Sequence, residues 1–209
     1  MKKLYFISDV HLGLYPYNKS REREKKVVRW LESIKPDVGE LFLVGDIFDF
    51  WHEHKRVVPK GFVRFFGKLA ELSDAGVKIN FFTGNHDVWA YKYLKEELNI
   101  NIHTNPIERE YSGKKFLIGH GDGVGPGDRG YKLLKWAFTN KFLQWCFARL
   151  HPNFSMWIGT AWSKSSRYSK GIVSEGFAGA DKELQIIHAN QVLKTKFYDD
   201  IVFGHRHIP

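Results

Sequence analysis

Five short apolar stretches of this chain each run into a compact polar signature, in the order DVH (residues 9–11), GD (45–46), GNHD (84–87), GH (119–120) and GHRH (204–207). The stretches themselves, residues 4–7, 41–44, 79–83, 116–118 and 201–203, are rich in β-branched and aromatic residues and run without alternation. Strands buried on both faces have that pattern. Helix-compatible segments at 21–34, 62–75, 89–98 and 182–197 lie between them, which predicts an α/β layered domain. Residues 107–111 and 115–118, joined through Ser112-Gly113, read as a hairpin.

Each signature lies at the carboxyl end of its predicted strand, the edge at which open α/β sheets bind ligands. Five strand ends far apart in sequence therefore converge on one edge. Gly45, Gly84, Gly119 and Gly204 each precede a donor residue, where the absence of Cβ is expected to let the backbone turn sharply off the strand.

The donors are Asp9, His11, Asp46, Asn85, His120, His205 and His207, all oxygen or imidazole nitrogen, a set suited to two closely spaced divalent cations. Asp9 and His11 are two apart, as are His205 and His207, so each pair shares a face at the end of a strand. Asp46 stands alone at its strand end, the natural place for a carboxylate shared between two ions. No single piece is specific; the ordered set is. His52 and His54 are read as structural or surface residues of a polar loop, and His103, His151 and His188 have no partner at ligand spacing. His86, beside Asn85, is expected to stabilise phosphoryl oxygens or protonate a leaving group, and Asp87 either to orient its imidazole or to serve as a helix-start carboxylate.

With 209 residues, 43% of them hydrophobic, the chain suits one well-buried core, and 1–209 is read as a single domain. The lone cysteine, Cys146, excludes an internal disulfide framework, fits a reducing compartment and reads as a buried apolar side chain. The first apolar run ends at Ser8 and Asp9, short of a signal-peptide core, and no apolar run reaches the ~20 residues of a spanning helix, so membrane contact is expected to be peripheral. A formal net charge of +9 points to an anionic partner.

That charge is concentrated. Residues 129–174 contain eight Lys or Arg, no Asp or Glu, and four of the seven tryptophans, Trp136, Trp145, Trp157 and Trp162. The segment interrupts the strand alternation as an inserted helical cap over the metal edge would, with boundaries near 125–175 and a helix across 131–150. Its apolar residues exceed what one core-facing stripe needs, leaving a face for a ligand, a bilayer or single-stranded nucleic acid.

The five blocks together resemble the calcineurin-like metallophosphoesterases. That resemblance implies a β-sandwich flanked by helices, one ion held by Asp9, His11, Asp46 and His207, and a second held by Asp46, Asn85, His120 and His205. It also implies that further strands completing one sheet lie beyond Pro209. Residues 120–132 (HGDGVGPGDRGYK) and 163–170 (SKSSRYSK) are similar to segments of the bacterial UDP-2,3-diacylglucosamine hydrolase family. This implies substrate contacts at Asp128, Tyr131, Ser163, Arg167 and Lys170, and cleavage of a nucleotide-linked acylated sugar to UMP and a sugar phosphate in lipid A synthesis. Two positions depart from that family, His86 in place of arginine and Arg167 in place of asparagine.

The expectation is therefore a hydrolase using two divalent ions, Mn²⁺ favoured over Fe²⁺ or Zn²⁺, peripheral on the cytoplasmic face of the inner membrane. Its anionic surface is the expected partner, with no nucleic acid and no obligate protein. Two other readings stand beside it: another phosphodiesterase, phosphatase or nuclease of the superfamily, and a non-catalytic binding relative.

Overall fold

The structure, a computed structural model, describes residues 2–126, 129–169, 177 and 179–206, with the backbone alone for 166–169. Four parallel strands, β1 (Lys3–Ile7), β2 (Val38–Val44), β3 (Lys78–Phe82) and β4 (Asn101–His103), form one sheet in that order. A second sheet pairs β5 (Ile107–Tyr111) antiparallel to β6 (Lys114–Ile118), and β6 parallel to β7 (Asp200–Val202).

The unbroken apolar run of β2 follows from its central position. Leu41 and Leu43 point into a core shared with α1 (Tyr17–Ile34) and α2 (Val63–Asp74), whereas Phe42 and Val44 point into a second core with Phe82 and Ile118, between the sheets. Each such side chain contributes about 1.5–3 kcal/mol by its burial. Because both faces are covered, the layers run helix, sheet, sheet, which is the β-sandwich flanked by helices that the family resemblance implied.

Helix α1 buries Ser20, Glu24, Val27, Leu31 and Ile34, a three-and-four spacing that gives one stripe, and stops before Pro36, which has no N–H to continue the helical ladder. Its buried Glu24 reaches across to accept the amides of Arg64 (3.0 Å) and Phe65 (3.2 Å), satisfying the open N-terminus of α2. The hairpin forms as its sequence predicts, with Ser112 (φ 52°) and Gly113 (φ 77°) both left-handed. Strand β4, only three residues long, and the shortness of α3 (Tyr93–Leu98) were not evident from the pattern.

Between β6 and β7 lie α4 (Arg129–Thr139), α5 (Lys141–Phe147), α6 (Pro152–Ser169) and α7 (Leu184–Leu193). The single helix expected over 131–150 is broken at Asn140, whose side chain accepts the amides of Phe142 (3.0 Å) and Leu143 (3.1 Å) and so starts a new helix. Helix α6 opens at Pro152, a position where a missing N–H costs nothing.

Candidate metal centre

The strand-end signatures meet at one edge, and the donors themselves make the turns. Asp9 (φ 54°), His11 (φ 48°), Asp46 (φ 51°) and His205 (φ 72°) all have left-handed backbone, a conformation L-residues adopt at a cost of roughly 1–2 kcal/mol each and one that clusters at functional sites. The expectation that the preceding glycines exist to turn the chain needs correcting. At Gly84 a Cβ would lie 2.3 Å from Asp46 Oδ1 and 2.8 Å from His120 Nε2, so the residue is there for close approach. Gly45 does both, with φ 81° and His120 Nδ1 2.3 Å from where a Cβ would stand. Backbone pairing also continues past the strands, His11 N donating to Asp46 O at 3.0 Å, which fixes one loop against the other.

Asp46 is common to two clusters, His11–Asp46–His86 and Asp46–His120–His205, in each of which the ligand-capable atoms lie within 4.8 Å of one another. Asp46 is 2% exposed, and its carboxylate accepts the amide of His86 on Oδ1 (2.9 Å) and stands 3.3 Å from His120 Nε2 through Oδ2. Burial would raise the Asp46 pKa, but His120, with His86 and His11, holds it below the usual carboxylate range. Burial likewise opposes charge on His120, yet Asp46 foremost pushes it up to about 10. His120 Nδ1 donates to the Val44 carbonyl at 2.9 Å, leaving Nε2 to face Asp46, an arrangement of the kind that orients a metal-binding imidazole. Asn85 Oδ1 is buried with no hydrogen-bond partner among the described residues. Asp9 takes the His205 amide on both oxygens, at 3.1 and 2.9 Å. The donor chemistry, two converging imidazole–carboxylate clusters and a buried amide oxygen without a partner, fits divalent cations. His207 lies outside the described residues.

The structure corrects the reading of Asp87. It neither faces the His86 ring nor starts a helix; α3 begins at Tyr93. The fully buried carboxylate accepts the amides of Gly84 (2.7 Å), Ile47 (2.8 Å), Phe48 (3.3 Å) and Asp46 (3.3 Å), tying the loops after β2 and β3 together. Burial, then the neighbouring Asp46, raises its pKa. The His86 ring is oriented elsewhere, Nδ1 lying 2.8 Å from the Asp49 carbonyl oxygen and 3.1 Å from Ser163 Oγ. Because a carbonyl only accepts, Nδ1 carries the hydrogen.

Several supporting residues had no sequence signal, since each acts through a contact distant in the chain. Arg23 of α1 donates to the carbonyls of Val10 (3.1 Å) and His11 (3.0 Å). Gln185 of α7 donates to Gly121 O (3.1 Å) and Gly204 O (2.8 Å), bridging the loops of His120 and His205. Arg206 makes a two-point ion pair with buried Glu183, both contacts 2.8 Å. Asp122, beside His120, is held below the usual range because His120 and Lys135 outweigh its burial; Tyr131 donates to it at 2.5 Å and Lys135 pairs with it at 2.7 Å.

Of the expected substrate residues, Tyr131 lies with its ring 6.0 Å from that of His205, and Ser163 is fully buried beneath His86. Asp128, Lys170 and the Arg167 side chain lie outside what is described. His52, read from sequence as part of a polar loop, is instead 1% exposed among Trp89, Phe147 and His54. On the cap, Leu133, Trp136, Phe142, Trp145, Phe154 and Trp157 are each at least half exposed. Among the described residues no helix is long and apolar enough to cross a membrane.

Residues 2–209 match the family model for calcineurin-like phosphoesterases. The chain is 36% identical, over 99% of its length and 83% of the relative's, to UDP-2,3-diacylglucosamine hydrolase of Porphyromonas gingivalis. It is 25% identical to the enzyme of that name from Histophilus somni (99% of this chain, 85% of the relative) and 28% identical to that from Neisseria meningitidis serogroup B (82% and 70%). A strand-end edge rich in His, Asp and Asn, with two clusters sharing Asp46, is what a metal-dependent hydrolase of phosphate esters or anhydrides requires, and the chain belongs to the calcineurin-like phosphoesterase family.

Proposed function

We propose that this protein hydrolyses the pyrophosphate bond of UDP-2,3-diacylglucosamine, giving UMP and 2,3-diacylglucosamine 1-phosphate. The observation that carries the reading is the juxtaposition of the shared-Asp46 clusters with an exposed aromatic, basic cap, in a chain that is similar over nearly its whole length to hydrolases of that name. A two-chain amphiphile needs a phosphate-handling site beside apolar surface, and each buried methylene contributes ~0.8 kcal/mol.

In this reading Asp9, His11, Asp46 and His207 hold one divalent ion, and Asp46, Asn85, His120 and His205 the other, with Mn²⁺ the favoured metal. When bound, the ions supply Lewis acidity to the phosphoryl oxygens and an activated water at neutral pH. The chain's own residues do the rest. His86, with Nδ1 anchored on Asp49, presents Nε2 to the reacting phosphoryl group, and Tyr131 and Lys135, tied to Asp122, line the cap side of the site. Asp128, Arg167 and Lys170 belong to the same substrate-binding set. Segment 125–175 acts as the cap, its exposed aromatics taking the acyl chains and seating the protein on the anionic cytoplasmic face of the inner membrane, where each nearby basic residue contributes about 1 kcal/mol.

Incubating the purified protein and Mn²⁺ with UDP-2,3-diacylglucosamine is expected to release UMP. Absence of UMP alongside normal turnover of a generic phosphodiester would sink the lipid assignment and leave the hydrolase standing.

A further inference from the structure

The loop that follows β1 leaves two tyrosines in the open beside the metal edge. Tyr15 is 72% exposed and Tyr17 74%, although the body of a tyrosine ring is apolar and gains by being covered. Their rings stand 6.4 Å apart at 78°, so the two brace each other without covering each other as a stacked pair would. The loop beneath them is pinned to the site. Leu12 N donates to Ile47 O and Leu12 O accepts from Asp49 N, both at 2.8 Å, while Gly13 N donates to Ser20 Oγ at 2.7 Å and Leu14 N to His11 O at 3.2 Å. Tyr15 follows His11 by four residues, so their Cα atoms are at most about 14 Å apart.

Helix α6 faces this loop. Lys164 Nζ lies 6.0 Å from the centre of the Tyr15 ring, and the residue before it, Ser163, has its Oγ 3.1 Å from His86 Nδ1. The ammonium therefore stands over Tyr15 at the margin of the reacting edge. Atoms in contact sit about 3.5 Å apart, so one planar group between ring and ammonium needs about 7 Å. The side chain of Lys164, on the surface, yields the remaining 1 Å or so by rotation.

We propose that Tyr15 and Lys164 form a slot for the uracil of a uridine nucleotide, Tyr15 stacking on the base and Lys164 donating to its carbonyl oxygens. An exposed aromatic face stacks with any base and holds it by its π-surface. Lysine carries donors and no acceptor, so above that face it favours a base whose edge presents carbonyl oxygens over one that presents an amino group. The loop tether keeps the slot within reach of a phosphate held at the strand ends. The nucleoside is thereby assigned to the β1 loop, and the exposed aromatics of the cap are left for acyl chains. The biological substrate rests on the function proposed above; the nucleotide slot itself does not.

The test is calorimetric titration of the full chain, in Mn²⁺, with UMP, CMP, ribose 5-phosphate and inorganic phosphate. UMP is expected to bind about ten-fold or more tightly than ribose 5-phosphate, which lacks the base. Tyr15→Ala is expected to erase that advantage while leaving the affinity for inorganic phosphate within about two-fold of the parent, and Tyr15→Phe, which keeps the ring face, to restore it. UMP is also expected to bind about five-fold more tightly than CMP, a preference that Lys164→Ala removes. Equal binding of UMP and ribose 5-phosphate by the parent would overturn the proposal. So would a Tyr15→Ala variant that loses UMP and inorganic phosphate alike, or one that keeps its UMP affinity and loses binding to phosphatidylglycerol vesicles, which would make the tyrosine a lipid contact. Release of UMP from UDP-2,3-diacylglucosamine is a separate readout. Its absence with the UMP preference intact would sink the lipid substrate and keep the slot, and its presence without that preference would do the reverse.

Discussion

The carboxylate of Asp87 binds the backbone of the loop that carries Asp46, accepting amides from Asp46, Ile47 and Phe48 as well as from its own loop at Gly84. Two buried acids at adjacent strand ends thus divide the work: Asp46 faces the imidazoles, and Asp87 faces away and holds the loops in place. Asp87→Asn turns one acceptor oxygen into a donor facing amide hydrogens. A loss of about 2–4 kcal/mol in urea unfolding is expected, from buried donors left unmet. Asp46→Asn should instead lose metal, seen by elemental analysis, with a smaller change in unfolding. Equal effects of the two would contradict this division.

Gly84→Ala tests close approach at the centre. The added methyl meets both Asp46 Oδ1 and His120 Nε2, neither of which can retreat from its buried site. Hydrolysis is expected to fall about 10- to 100-fold, with metal content below that of the parent. A variant that keeps full metal occupancy would show that the two strand ends can separate without cost.

Gln185 holds the loops of His120 and His205 from a helix that carries none of the candidate metal ligands. Gln185→Leu keeps the approximate volume and leaves the carbonyls of Gly121 and Gly204 without that N–H. Metal affinity, read by titration with Mn²⁺, is expected to drop about 10-fold, in the range usual for residues that orient ligands.

His52 sets a pH limit on stability. Burial, then the nearby His54, lowers its pKa to about 4, against about 6.5 in an unfolded chain. Between those values the unfolded chain binds a proton that the folded one refuses, so stability falls as pH drops from 6.5 toward 4 and is unaffected by this group above 6.5. Across the whole window the loss amounts to about 3 kcal/mol. Thermal unfolding of His52→Gln across that window should show a shallower slope than the parent; parallel slopes would remove His52 as the cause.

The cap's exposed indoles test its proposed membrane role. Replacing Trp145 and Trp157, which are 55% and 64% exposed, by serine should weaken binding to phosphatidylglycerol vesicles about 10-fold or more while leaving the thermal unfolding temperature within a degree or two. Unchanged vesicle binding would point the apolar face at something other than a bilayer.

The sequence by itself determined the reaction class and the framework. Buried strands announce themselves as short unbroken apolar runs because both faces are covered, and donor residues directly after those runs have little choice but to share an edge. That is why Asp46 stands out in the sequence as the shared carboxylate, and the two clusters meet on it. Only the tertiary structure decided which side chain serves which neighbour. Asp87 turns onto amides from strand β2's loop, Gln185 and Arg23 reach in from helices, and Ser163 of α6 meets the His86 imidazole. The physical reason is common to all four. Each is a contact between residues brought together by packing alone, so its partner leaves no trace in local spacing, whereas strand burial and the edge it creates are written in the run of neighbouring residues.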